Sequence, residues 1–396
     1  MSSYFNIILK DTLKPTGGPS GYLYNLNMSL ETNTIKNISL LSYGIEVKSN
    51  SSKKNPLKTF IKSLKVKFLP VFLRKKYLRK KEEREYINFY SSIINKLQNS
   101  ALNNFHHTKD FYFFKKLYPE NRTLTLLMSH APEPPHVELY QAYLADGYTS
   151  KKALHLSQHQ KEIDISAFKS ADYIIFPCHE AVAPYEPFFK ENNIDTTKLR
   201  FVITSSEPLN YILSANQFKI QNNIDQSKIS LAYVGRKTKI KGYDIFCDAA
   251  KTLEGDSRFT FIAAGNGAIE TPNLKNLLDF GWTNDPGSIL NAVDYLIIPN
   301  RDTYFDLGII QALSLNKTLI TTPTGGNRWF LNKNLDIIFF EPDVDSLVKI
   351  IKQLKKSTDN KNELFFKKYL SNEHFAINYL KLFQNIEQEQ KLDVTN

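Results

Sequence analysis

The sequence predicts an α/β protein built as two Rossmann-like, doubly wound domains facing each other across a cleft. Three observations carry this expectation. Short apolar runs alternate with helix-length stretches, a pattern that places parallel strands in a sheet covered on both faces. Glycine turns follow several of these runs, at the strand ends where open α/β sheets hold ligands. The alternation lapses over a polar stretch, about residues 207–228, and then restarts. The 396 residues therefore divide into an N-terminal domain, 1–210, and a C-terminal domain, 225–370, each long enough to bury a core.

In the first domain, Tyr4–Leu9 reads as a strand, followed by the turn Gly17-Gly18-Pro19-Ser20-Gly21 and a helix over Tyr22–Leu30. Ile38–Tyr43 reads as the next strand. A basic insertion, 53–84, interrupts the pattern, and a long polar helix is expected after Pro70. Leu124–Met128, Tyr173–Pro177 and Phe201–Thr204 read as further strands, with a helix over His136–Ala145. In the second domain, strands are expected at Ser230–Val234, Phe259–Ala263, Leu277–Phe280, Tyr295–Ile298 and Thr318–Thr321. Helices are expected at Tyr243–Leu253, Ser288–Ala292 and Leu307–Leu315.

Composition narrows the class. Hydrophobic residues are 42% and charged residues 23%, as in soluble globular proteins. Two cysteines, Cys178 and Cys247, exclude a disulfide scaffold and a Cys-rich zinc module, and suit a reducing cytosol. MSSYFNIILK lacks the basic and apolar regions of a signal peptide, and no spanning helix is expected. The net charge of +11 is local. Lys53–Arg84 holds thirteen basic and two acidic residues, so the rest of the chain is neutral on balance. Those cations beside Phe60, Leu64, Phe68 and Phe72 suit an anionic membrane surface. No nucleic-acid motif accompanies them.

Two loops could carry chemistry. Gly235-Arg236-Lys237-Thr238-Lys239-Ile240-Lys241-Gly242 lies between a strand and a helix. Arg236 offers a planar fork and Lys241 a point charge, a pair suited to a diphosphate. In Asp302–Leu313 a loop runs into a helix, and the amides of Phe305, Asp306 and Leu307 could face an anion. The plainer reading makes Asp306 an ordinary N-cap. The Gly17-Gly18 turn lets backbone approach a ligand but is not GxGxxG, so a dinucleotide site is not expected.

The arrangement resembles the GT-B glycosyltransferases, specifically glycosyltransferase family 4. Arg236 and Lys241 match that family's glycine-arginine loop, beginning at Gly235. Gly265-Asn266-Gly267 resembles its Gly-x-Gly turn, and Gly281-Trp282 its turn beside the nucleotide base. Asn291–Pro299 resembles its alanine-aspartate-strand-proline element, and Thr324-Gly325-Gly326 its Gly-Gly turn. Upstream, Gly17 and Gly18 match its first glycine loop, with Gly21 just beyond. Ser129-His130 matches the strand-end histidine that faces the donor sugar, and His107 an earlier one. His136, His155, His159 and His179 have no motif behind them. The family's two glutamates, separated by seven residues, are here Thr303 and Gln311. Gln311 can still hydrogen-bond ribose hydroxyls, without charge.

The resemblance implies retaining transfer of a sugar from a nucleotide-sugar donor to a glycan or lipid-linked acceptor in bacterial surface polysaccharide synthesis. His130, Arg236 and Lys241 are its catalytic candidates. Gly17, Gly18, Gly21, Gly235, Gly265, Asn266, Gly281, Trp282, Thr303, Phe305, Asp306, Leu307 and Gln311 are its donor-binding candidates. It implies no cofactor, since the nucleotide sugar is a substrate, and no obligatory metal. Asp343-Val344-Asp345 reads as a helix cap. A cytoplasmic enzyme, peripheral on the inner membrane face, is expected. A terminal helix, 371–396, is expected to cross back to the first domain. Thr303 and Gln311 motivate an alternative, a catalytically weak GT-B partner of an active transferase. A GT-B epimerase is a third class, for which the acidic residues are wanting.

Overall fold

The structure, a computed structural model, describes residues 4–15, 18–45, 71–355 and 361–395. Gly17 and most of the basic insertion, with the membrane-docking expectation attached to it, lie outside the described residues.

Each domain is built on a six-stranded parallel sheet. The first contains β1 (Phe5–Ile8), β2 (Ile38–Leu41), β3 (Leu102–Phe105), β4 (Leu124–Met128), β5 (Tyr173–Phe176) and β6 (Leu199–Phe201), in the order β2-β1-β3-β4-β5-β6. The second contains β7 (Ile229–Val234), β8 (Phe259–Ala264), β9 (Leu277–Asp279), β10 (Tyr295–Ile298), β11 (Thr318–Thr321) and β12 (Ile337–Phe339), in the order β12-β11-β10-β7-β8-β9. The strand order reverses between β1 and β3 in one sheet and between β7 and β10 in the other. Such switch points open a crevice at the carboxyl ends of the strands.

Burial explains the apolar runs. Every residue of β1, β5, β8 and β10 is buried, as strands covered on both faces require. The same strap fixes register in both domains. Asp172, just before β5, accepts the backbone N–H (2.8 Å) and hydroxyl (2.6 Å) of Thr125 in β4. Asp294, just before β10, accepts the same pair from Ser230 in β7, at 2.8 and 2.6 Å.

Several elements differ from the sequence reading, which lacks β12 and the helices Thr108–Leu117 and Ser150–Ser170 altogether. The first helix begins at Gly18, with φ +78°, and runs to Thr32. Gly21 therefore sits buried within the helix and outside the turn. β3 is absent from the reading because its sequence, LNNF, looks polar. Asn103 is nevertheless fully buried, donating to Leu97 O at 2.9 Å and accepting from Asn6 at 2.9 Å, which satisfies it inside the sheet. β6 begins two residues earlier than expected and ends at Phe201.

The terminal helix, Asn372–Thr395, lies on the first domain. Phe383 packs on Phe5 with ring centroids 5.3 Å apart. Tyr379 and Tyr22 share a hydroxyl–hydroxyl bond of 2.8 Å, and Ser29 donates to the Asn372 carbonyl. Among the described residues no helix is long and apolar enough to cross a membrane.

Candidate active site

Glycines lace the loops at the carboxyl end of the second sheet. Gly265 has φ +125°, and a Cβ there would stand 1.9 Å from the Gly235 carbonyl oxygen. The Gly265 N–H donates to the Gly281 carbonyl at 2.7 Å. Gly242, at φ +66°, leaves no room for a Cβ against the Pro299 carbonyl. The loops after β7, β8, β9 and β10 thus form one surface whose backbones meet in van der Waals contact. Asn266 accepts the Lys237 N–H on its carbonyl (2.9 Å), and Trp282, beside Gly281, is 64% exposed.

The cations around this surface are unequal. Lys237 is buried and ion-paired with Asp279. Arg301 forks onto Asp244, both bonds 2.7 Å. Lys241 donates to Asp306 Oδ2 at 2.9 Å. Arg236 is exposed and has no carboxylate partner among the described residues. Lys237, Lys241 and Arg301 are thus ion-paired within the fold, whereas Arg236 and the exposed Lys239 have no carboxylate partner among the described residues.

Asp306 caps the helix Leu307–Ser314, accepting the Gly308 N–H at 2.8 Å on Oδ1. Its Oδ2 accepts from Lys241 and from Asn300, the latter at 2.6 Å. Burial would raise its pKa, but Lys241 and these bonds outweigh it and hold the carboxyl below the usual range. Asp306 is therefore a structural cap, and the amides of Phe305, Asp306 and Leu307 donate to no described group. Thr303 and Phe305 are buried. Gln311 is half-buried on the helix.

The first domain contributes a histidine pair. His106 Nδ1 lies 2.8 Å from His130 Nε2, and Asn104 Nδ2 lies 3.0 Å from His106 Nε2. Burial depresses both pKa values: His106 falls well below the usual range, and His130 is lowered to about 3. His107, the residue singled out from the sequence, instead caps the helix Thr108–Leu117 by accepting the Lys109 N–H at 3.1 Å. His106 escaped notice because the two histidines are adjacent and only the strand's alternation tells which one points inward.

The two domains meet beside this pair. Tyr304 of the second domain donates to the Ile175 carbonyl at 3.3 Å, and its ring lies 6.0 Å from that of His130. Arg328 donates to the Glu180 carbonyl at 3.3 Å. The contact brings His130 to the loop carrying Thr303 and Phe305. Glu133, on the loop after His130, and Asp302 are also close. Burial raises the Glu133 pKa and the Asp302 charge raises it further; burial likewise raises that of Asp302. No sequence motif marks Glu133.

Residues 228–357 match the family model described as Glycosyl transferases group 1. A stretch of 189 residues is 26% identical to the UDP-Gal:alpha-D-GlcNAc-diphosphoundecaprenol alpha-1,3-galactosyltransferase of Escherichia coli, over 43% of this chain and 48% of that protein. The match thus spans about half the length of that relative. Sucrose-phosphate synthase from Thermosynechococcus elongatus superimposes with a TM-score of 0.66 at 14% identity, over 97% of this chain and 99% of that one. HepE of Anabaena in complex with UDP-glucose superimposes with a TM-score of 0.64 at 11% identity, over 97% of this chain and 100% of that one. The architecture is GT-B.

Proposed function

We propose that this GT-B chain, whose second domain matches the group 1 glycosyl transferases, is a retaining glycosyltransferase. It moves a sugar from a nucleotide-sugar donor to a glycan or lipid-linked acceptor in bacterial surface polysaccharide synthesis. A UDP-sugar is the first donor to test, because HepE was captured with UDP-glucose and the Escherichia coli relative is named for UDP-Gal.

One observation supports this reading best. The Arg236 guanidinium and the Phe305–Leu307 amides, none of them paired among the described residues, flank one strand switch point. When the bond from the anomeric carbon to the phosphate oxygen breaks, its electron pair stays on the phosphate. Charge-assisted donors held ready at that oxygen lower the barrier because the charge grows there. Lys241, ion-paired with Asp306, holds the loop that carries Arg236 against the start of the helix. Gly265 and Gly281 let backbone approach the nucleotide, with Trp282 beside the base. Gly18 opens the facing helix, and His130 faces the sugar. Gln311 takes ribose hydroxyls. The acceptor enters from the first domain, and the basic insertion docks on the inner face of the membrane.

A thermal-shift series tests the reading. UDP, other nucleoside diphosphates and their sugars are titrated against the full chain. A true donor at ~100 times its dissociation constant stabilises the fold by about 2.7 kcal/mol, and transfer or hydrolysis of its sugar should follow. The absence of a carboxylate at Thr303 and Gln311 favours a second reading, a GT-B partner subunit that binds nucleotide without turnover. Stabilisation without any sugar release would select it.

A further inference from the structure

We propose that His106 is a positioning residue. It fixes His130 as the tautomer with its proton on Nδ1, so that His130 presents an N–H donor to the crevice. The inference deepens the donor-site reading and rests on it.

The argument follows hydrogen-bond polarity. A neutral imidazole has one donor nitrogen and one acceptor nitrogen, and its partners decide which is which. Asn104 can meet His106 Nε2 through its amide nitrogen, 3.0 Å away. That nitrogen only donates, so His106 Nε2 accepts and the His106 proton lies on Nδ1. His106 Nδ1–H then donates to His130 Nε2 at 2.8 Å. The His130 proton is thereby forced to Nδ1. A doubly protonated His130 would point an N–H at the His106 N–H, so the chain of bonds excludes it.

The polarity follows from the orientation of the Asn104 amide, whose Oδ1 is buried without a hydrogen-bond partner among the described residues. Asn104 and His106 are fully buried. The rings of Tyr22 and Tyr379 lie 5.8 and 6.3 Å from His106, and no carboxylate hydrogen-bonds to either histidine among the described residues. A second strut comes from Tyr22, whose ring stands edge-on to His130 at 4.5 Å. His130 is half-buried, and its Nδ1 hydrogen-bonds to no described group. An N–H donor there fits a sugar hydroxyl or ring oxygen as acceptor. A lone pair there would instead require the sugar hydroxyl to donate.

The test is nuclear magnetic resonance of the full chain labelled with 15N-histidine, at pH 7. Long-range proton–nitrogen couplings report the tautomer, and His130→Gln and His106→Leu assign the signals. Both histidines are expected neutral with the proton on Nδ1. A proton on Nε2 of His130, or an imidazolium, would overturn the proposal without any activity measurement. In His106→Leu, His130 is expected to relax to a mixture of tautomers, with kcat for the best donor falling about tenfold and KM changing less than about twofold. His106→Gln, whose amide can donate to His130 Nε2, is expected to restore both to within about threefold. An unchanged His130 tautomer in His106→Leu also rejects the idea. If the native chain turns over no nucleotide sugar, the proposed function fails while the tautomer result stands by itself.

Discussion

Lys241 and Asp306 join the two loops of the second sheet's switch point by a 2.9 Å ion pair. The lysine comes from the loop after β7 and the aspartate from the loop after β10. The same carboxylate caps the following helix, so one side chain sets both the cation's position and the orientation of the helix start.

This double duty has a measurable cost when removed. Asp306→Ala loses a helix cap, worth ~1 kcal/mol, and strands a mostly buried ammonium. Urea unfolding should show a total loss of about 2 kcal/mol, with Asp306→Asn losing less because it still caps. The Asp306 pKa is lowered in the folded state, so its contribution is present above the ordinary carboxylate range and is lost as pH falls below that range through the lowered folded value. Equal stability of wild type and Asp306→Ala at neutral pH would show the pair to be energetically idle.

Arg236 behaves oppositely, since no ion pair or hydrogen bond holds its side chain among the described residues. Arg236→Ala should leave the urea midpoint within about 0.5 kcal/mol of wild type. Donor turnover should fall by about two to three orders of magnitude, the scale of losing one donor to a developing oxyanion. Arg236→Lys keeps the charge but not the fork and should recover part of it. Near-normal turnover in Arg236→Ala would remove this residue from the site.

Much of the architecture is legible in the sequence, for physical reasons that also explain the gaps. Strands such as β8 and β10 are apolar throughout because both faces are covered, and their runs stand out. β3 does not, since Asn103 and Asn104 are polar residues serving the interior. The glycine loops can be read because Gly242 and Gly265 meet steric demands only glycine satisfies. Pairing cannot be read at all. Nothing in the run Arg236-Lys237-Lys239-Lys241 tells which cation is spent on Asp279 or Asp306, and nothing in His106-His107 tells which ring reaches His130. Those facts depend on residues distant in sequence that only the tertiary fold brings near.

The glycine loops give a clean steric test. A Cβ at Gly265 would strike the Gly235 carbonyl oxygen, in a backbone conformation that other residues rarely adopt. Gly265→Ala is therefore expected to destabilise the fold by about 3 kcal/mol or more and to weaken UDP binding. Gly255 has open space around it and no left-handed backbone. Gly255→Ala should be neutral or stabilise by about 0.5 kcal/mol. Differential scanning calorimetry of the two variants decides the matter. Similar midpoints would mean the loop contact yields at little cost.

The buried histidine gives a pH dependence of defined sign. Burial keeps His106 neutral far below its ordinary range, whereas in the unfolded chain it titrates near 6.5. Below about pH 6.5 the unfolded state therefore takes up a proton that the folded state refuses. Stability is full above that pH and declines as pH falls, by up to about 1.4 kcal/mol per pH unit for this residue. His130, lowered to about 3, acts in the same direction. Urea unfolding at pH 7.5, 6.5, 5.5 and 5.0 should give a steeper acid decline for wild type than for His106→Asn. The difference should approach one proton's worth of slope. Parallel curves would mean that His106 takes up its proton in the folded chain as readily as in the unfolded one, and the Asn104 amide would then have to present its oxygen to His106 Nε2.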